Sequence, residues 1–247
     1  MQIDVLTLFP EWFDWMRRPR HLSNAAISAG LALRCYSFRD HSPLTGGQVD
    51  DAPYGGGPGM VLRVDVVAAA LEGVYGEPAE RVREGRRVVV LSPRGRPFTD
   101  EVARELAALP ALTLLCGRYE GFDERVHRHL ANDEISLGPF VLAGGEVAAM
   151  AIVDALGRRL PGALGNAESL DRESFSPALG GGTEHPHYTR PASFRGWEVP
   201  DVLLSGDHGA VERWRAERVG RPGADAMLPV VSPGAGSAQP DQRERSS

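Results

Sequence analysis

Residues 117–121, Gly-Arg-Tyr-Glu-Gly, set three reactive side chains side by side. Arg118 offers a cation, Tyr119 a ring that can stack, and Glu120 a carboxylate. A second group precedes a run of glycine and proline in residues 49–60, VDDAPYGGGPGM, with Asp50, Asp51 and Tyr54 at its base. Within it, the five residues Gly55–Gly59 can form neither helix nor strand. It reads either as a mobile surface loop or as a loop that closes over a ligand, since long irregular loops in compact domains are often functional. It is not a phosphate loop, because no Gly-Lys-Ser/Thr follows, and no strand leads directly into it as a dinucleotide fingerprint requires. Arg158 and Arg159 end an apolar helix, where a cation offsets the helix dipole and needs no other role. His185 and His187 stand at a spacing that could suggest a metal, but no matching carboxylate or cysteine set accompanies them, so no metal site is assigned. Arg190, Arg195 and Trp197 follow in the same polar stretch.

The elements that must position these groups follow from apolar patterning and punctuation. Strands are expected over residues 3–9, 31–38, 87–91, 112–116 and 134–137. Helices are expected over residues 11–16, from Ser23 or Asn24 to Gly30, from Asp65 to about residue 71, after Thr99, over 122–130 and over 146–159. Residues 77–85 read as a polar connection. Short apolar runs followed by glycine turns are typical of parallel strands that carry a ligand at their carboxyl ends. Three such turns occur, at residues 92–98, 117–121 and 138–145. Their convergence gives a parallel α/β domain with a small-molecule pocket. A Gly-x-Gly-x-x-Gly turn is missing, which sets aside a nucleotide-dependent oxidoreductase. The residues by themselves support an enzyme with a nucleoside-like ligand and no named reaction.

At 247 residues and 42% apolar content the chain can build one large or two modest domains. Its two cysteines, Cys35 and Cys116, fall in expected strands without paired spacing, as in a reducing cytoplasm. The opening IDVLTLF lacks a basic leader, and the longest apolar run holds Glu146 and Asp154, so neither a signal peptide nor a membrane span is expected. The net charge of −6 argues against bulk nucleic-acid binding but not against a local basic face. Regular patterning stops at Gly162. The expected organisation is a domain over residues 1–162, a linker over 163–175, a small mostly helical domain over 176–220, and a disordered tail over 221–247.

Seven segments in fixed order carry a resemblance: IDVLTLFPEWF, VDDAPYGGGPGM, LSPRGRPF, LLCGRYEGFDERV, ISLGPFVLAGGE, PHYTRP and VLLSGDH. Over about residues 1–218 the chain resembles the bacterial tRNA (guanine-N1)-methyltransferase family, TrmD. The resemblance implies a SPOUT-type α/β fold whose parallel sheet has a carboxyl-side trefoil knot. It implies an obligate homodimer that takes a methyl from S-adenosylmethionine and places it on guanosine-37 of tRNA. A preceding guanosine-36 is required in the family, and magnesium assists. Carried over by position, the donor pocket consists of Leu91, Ser92, Pro93, Gly95, Gly117, Tyr119, Leu137, Gly138, Phe140, Leu142, Gly144 and Gly145. Glu120 matches a residue that holds the target guanine, and Asp51 joins it as a substrate-binding residue. Arg158 matches an arginine that helps stabilise charge, which leaves Arg159 to the helix end. His185, Arg190 and Arg195 are expected to touch RNA. Two departures stand out. The family's general base is an aspartate where this chain has Glu173, with Asp171 as a second candidate, and the arginine-rich helical end is replaced by GRPGADAMLPVV. The first departure gives weight to one other reading, a non-catalytic RNA-binding protein that keeps the pocket.

Overall fold

The computed structural model describes residues 1–166, 170 and 172–220. The chain divides into two compact units, Met1–Leu170 and Asp171–Ser247. The division falls inside the stretch read as a linker. Asp171 and the tail over 221–247 lie outside the described residues.

In the first unit, strands β1 (Gln2–Thr7), β2 (Ala32–Ser37), β5 (Arg87–Pro97), β6 (Ala111–Cys116) and β7 (Asp133–Ser136) form a parallel sheet in the order β2-β1-β6-β5-β7. β3 (Asp50–Asp51) and β4 (Val61–Leu62) pair separately as an antiparallel hairpin. Alternate strand residues point to opposite faces. Thus Ile3, Val5, Val89, Leu91, Leu112 and Leu114 join one core, and Leu6, Val88, Val90 and Leu115 the other. Helices α1 (Arg20–Ala29), α4 (Asp100–Ala107) and α5 (Glu146–Gly157) cover the first face, and α2 (Val64–Tyr75) and α3 (Ala79–Gly85) the second. Each fully buried aliphatic side chain contributes about 1.5–3 kcal/mol relative to exposure. With both faces covered, the strands read as unbroken apolar runs, which is why they are visible in sequence. Edge strand β2 is only half-buried, as its alternation implies.

Punctuation succeeded where it was local. Thr99 caps α4 by accepting the Val102 N–H, and Gly30 ends α1 in the left-handed region. Other expectations need correction. α1 starts at Arg20, so Ser23 and Asn24 lie within it; the Asn24 side chain donates to the Ala163 carbonyl at 3.1 Å. Asp65 sits in the first turn of α2, where Arg63 and its own neighbour's N–H hold it. Residues 79–85 are helix α3; its two buried residues, Ala79 and Val82, are too few to show a period. Of residues 122–130 only 124–130 are helical, and Val126–Leu130 within them form one wide turn. β5 does not stop at Leu91 but continues to Pro97, with a register shift against β7 between Leu91 and Arg96. That shift throws residues 92–95 outward as a bulge.

In the second unit Asp207 caps α7 (His208–Ala216) by accepting the Ala210 N–H at 3.0 Å, and Trp214 is its buried residue. A short helix α6 (Asp201–Leu204) precedes it. The described residues add a feature the sequence reading lacked, a hairpin of β8 (Ser193–Phe194) and β9 (Trp197–Glu198). Arg195 and Gly196 turn it with φ of 51° and 81°.

Candidate active site at the strand ends

A cleft of about 1180 Å³ opens at the carboxyl ends of β5, β6 and β7. Each strand supplies one wall as it ends: the bulge after Leu91, the turn after Cys116 and the loop after Ser136. Of the twelve residues expected to hold a donor, eleven line this cleft. Gly95 does not. A Cβ there would overlap the β7 backbone at Glu134 and Ile135, so this glycine lets the bulge lie against its neighbour strand. Gly145 meets a similar limit, for its Cβ would stand 2.8 Å from Cys116 Cα. Its N–H donates to the Gly117 carbonyl at 2.9 Å, which seats the amino end of α5 on the end of β6. Tyr119 occupies the left-handed region at φ 57°, a conformation rare outside glycine and often found at functional sites. Its ring is exposed, as are Phe140 and Val141 on the facing loop.

The charged groups are mostly engaged. Glu120 accepts the Met60 N–H at 2.7 Å, and its own N–H donates to the Met60 carbonyl at 3.1 Å. This ties the residue just before β4 to the 117–121 turn. Asp51 pairs with Arg63 at 3.1 Å, and Arg63 also pairs with Asp65 at 2.7 Å. The Arg63 hydrogen bond holds the Asp65 carboxyl below its ordinary value. Arg118 lies 2.9 Å from the buried carboxylate of Glu146. Arg63 and Glu146 were not singled out in sequence. The available signal for Glu146 was its place at the start of a helix, where the dipole favours an acid.

The remaining expected residues are not in the cleft lining. Arg158 caps the far end of α5, thirteen residues beyond Gly145, which at 1.5 Å per residue is roughly 20 Å along the helix. Arg159 pairs with Asp100. Glu173 belongs to the second unit, where its carbonyl accepts the Ser176 N–H. There, too, the His185 ring lies tilted against His187 with centroids 4.6 Å apart and edge-on to Trp214, and Arg190 is exposed. Tyr188, Phe194 and Trp197 are exposed in the same stretch, with the Arg195 guanidinium 5.1 Å over the Phe194 ring. Among the described residues no group of three or more His, Cys, Asp or Glu side chains is placed to hold a metal ion. Nor is any helix among them long and apolar enough to cross a membrane.

A family model described as tRNA (guanine-1)-methyltransferase TrmD matches residues 1–224. The chain belongs to this family. It is 50% identical over 215 residues to a tRNA (guanine-N(1)-)-methyltransferase of Dehalococcoides mccartyi strain CBDB1, covering 87% of this chain and 84% of that protein. A relative of the same name from Sorangium cellulosum is 50% identical over 231 residues, 87% of each chain. One from Brevibacillus brevis is 48% identical over 215 residues, 87% of this chain and 85% of the relative. Membership of the TrmD family accounts for a cleft built from glycine turns rather than from a dinucleotide fingerprint. Methyltransferase names throughout these relatives do not favour the reading as a non-catalytic RNA-binding protein.

Proposed function

We propose that the chain transfers a methyl group from S-adenosylmethionine to N1 of guanosine-37 in tRNA. One observation carries the reading: in a chain of the TrmD family, eleven expected donor residues from three sequence-distant turns line one cleft. Glycine backbones at Gly117, Gly138, Gly144 and Gly145 leave hydrogen-bonding groups reachable, while Leu91, Leu137, Phe140 and Leu142 supply apolar walls. This mixture suits a nucleoside carrying an amino-acid tail. At about 1180 Å³ the cleft exceeds the roughly 300–1,000 Å³ of a usual ligand site, which leaves room for a base beside the donor.

The donor supplies an electrophilic methyl on a sulfonium. The chain's own task is to align the guanine and remove its N1 proton, because N1 is a poor nucleophile until that proton leaves. Glu173 is assigned as the proton acceptor, with Asp171 as the alternative carboxylate. Glu120 holds the base, Asp51 lies on the same rim, and Arg158 stabilises charge developing at O6. The target nucleotide must leave the anticodon-loop stack to reach the cleft. Half-buried His185, exposed Arg190 and Arg195 and the aromatic hairpin tip suit contacts to phosphate and unpaired bases.

Arg158 stands a helix length from Gly145, which supports a homodimer whose second copy supplies Arg158 and the linker carboxylate to this cleft. The 138–145 loop returns from β7 to seat Gly145 against Gly117 beside β6, a path that suits the carboxyl-side knot of a SPOUT fold. Work on tRNA accords with a cytoplasmic protein. Incubating the protein with labelled S-adenosylmethionine and bulk tRNA, then mapping the methyl by mass spectrometry, tests the proposal. N1-methylguanosine at position 37 is expected; unmodified tRNA, or a methyl on another atom, overturns it.

A further inference from the structure

Arg118 is the one member of the Arg-Tyr-Glu turn to which the proposed chemistry gives no task. Its surroundings explain why. Its Nε lies 2.9 Å from Oε2 of Glu146, whose side chain is 1% exposed. The two meet as an ion pair, since the Nε–H is not aligned on the oxygen. The other carboxylate oxygen accepts the hydroxyl of Thr7, fully buried at the end of β1, at 2.7 Å. The guanidinium carbon lies 4.5 Å from the centroid of the Phe9 ring and 4.9 Å from that of Trp12. Its Nη1 donates to the Ala143 carbonyl at 3.4 Å. A cation held by a buried anion and two aromatic rings is not a free hand for phosphate.

We infer that Thr7, Glu146 and Arg118 form a positioning chain that sets the 138–145 loop in its donor-binding shape. Thr7 fixes the Glu146 carboxylate at the first position of α5. Glu146 fixes Arg118, and Arg118 fixes the carbonyl before Gly144. Gly144 completes the arrangement, since a Cβ on it would overlap both the Arg118 and Glu146 side chains. Arg118 and Gly144 also pair as an isolated backbone bridge. The loop is thereby clamped from β1 and β6 at once. Thr7 and Phe9 connect further, the Thr7 oxygen accepting the Phe9 N–H at 3.0 Å, so the ring over Arg118 is set by the same residue that orients its anion. None of these groups touches the reacting atoms in the proposed mechanism.

This inference rests on the reading of the cleft as the donor site, and the test separates the two. Donor affinity is measured by calorimetry with S-adenosylmethionine for the full chain and for Glu146→Gln, Arg118→Met and the double variant, beside melting temperature and steady-state kinetics. Failure of the unaltered protein to bind the donor sinks the donor-site reading itself. If it binds, Glu146→Gln should weaken donor affinity about tenfold and raise the donor KM equally, while kcat at saturating donor stays within about threefold. Arg118→Met leaves a buried carboxylate without its cation and is expected to melt lower. The double variant removes both charges, so its melting temperature should recover while donor affinity stays about tenfold weak, because nothing then holds Ala143. Recovery of affinity together with melting temperature would mean that the pair only stabilises the fold. Unchanged donor affinity in Glu146→Gln, or a loss confined to kcat, would likewise overturn the positioning role.

Discussion

The departure from the family pattern at Glu173 makes a claim about single atoms. A glutamate is one methylene longer than an aspartate, a displacement of about 1 Å that can cost on the order of a hundredfold where alignment is tight. A linker can retreat to absorb that length as a rigid strand cannot. Glu173→Gln is therefore expected to slow single-turnover methylation roughly a hundredfold or more, with donor and tRNA affinity nearly unchanged. Asp171→Asn should be mild. The opposite pattern in the same assay moves the base to Asp171, and full activity in both variants removes the linker carboxylate from the mechanism. Glu120 stands differently, because its carboxylate already accepts a backbone N–H from Met60. A carboxylate accepts at both oxygens, so under the proposed reading the Met60 bond to one of them orients the other toward the base.

At the scale of elements, this bond joins the end of the loop between β3 and β4 to the carboxylate proposed to hold the base. Gly59 lies at φ 86° with its missing Cβ directed into the Glu120 carboxylate. Gly59→Ala should strain the backbone by about 1–2 kcal/mol and push Glu120 from Met60. Its kcat/KM for tRNA is expected to fall about tenfold while calorimetric donor affinity stays unchanged; an equal loss in both would show that the hairpin shapes the donor pocket instead. Much of this element was legible beforehand, because Gly55–Gly59 can form nothing regular and Asp51 announces its base. The sheet was legible for a similar reason, since burial on both faces writes each strand as a plain apolar run. Its order was not legible, because pairing partners leave no local mark. The bulge in β5 stayed hidden because Ser-Pro-Arg-Gly looks like an ending, and only the β7 partner carries the strand on to Pro97. The Arg118–Glu146 pair was hidden because 28 positions separate its members and nothing local couples them.

For the whole molecule, the cleft of one copy is incomplete under the proposed mechanism, and activity should follow subunit exchange. A Gly145→Leu variant drives side-chain atoms into the Cys116 backbone and should lose the donor. A Glu173→Gln variant keeps the donor and loses the base. Each alone is expected to be nearly inactive. Mixed after exchange, they form hybrids in which one cleft has both an intact loop and an intact carboxylate, so about a quarter of the sites in a random mixture are whole. Recovery near that fraction, read as methylation rate against mixing ratio, supports the shared site. With exchange verified by mass spectrometry and circular dichroism matching the parent, no recovery would mean that each copy works alone.

The bond from Thr7 to Glu146 spans 139 positions of chain. On a ribosome adding about 5–20 residues per second, the first strand is finished on the order of ten seconds before the carboxylate that completes its end has been made. Until then β1 can pair with β2 and β6, but the Thr7 hydroxyl at its end has no carboxylate to bind. Under the proposed reading, a product truncated before Glu146 therefore lacks the anion that orients Arg118 and should not bind S-adenosylmethionine, which calorimetry on the truncated chain checks.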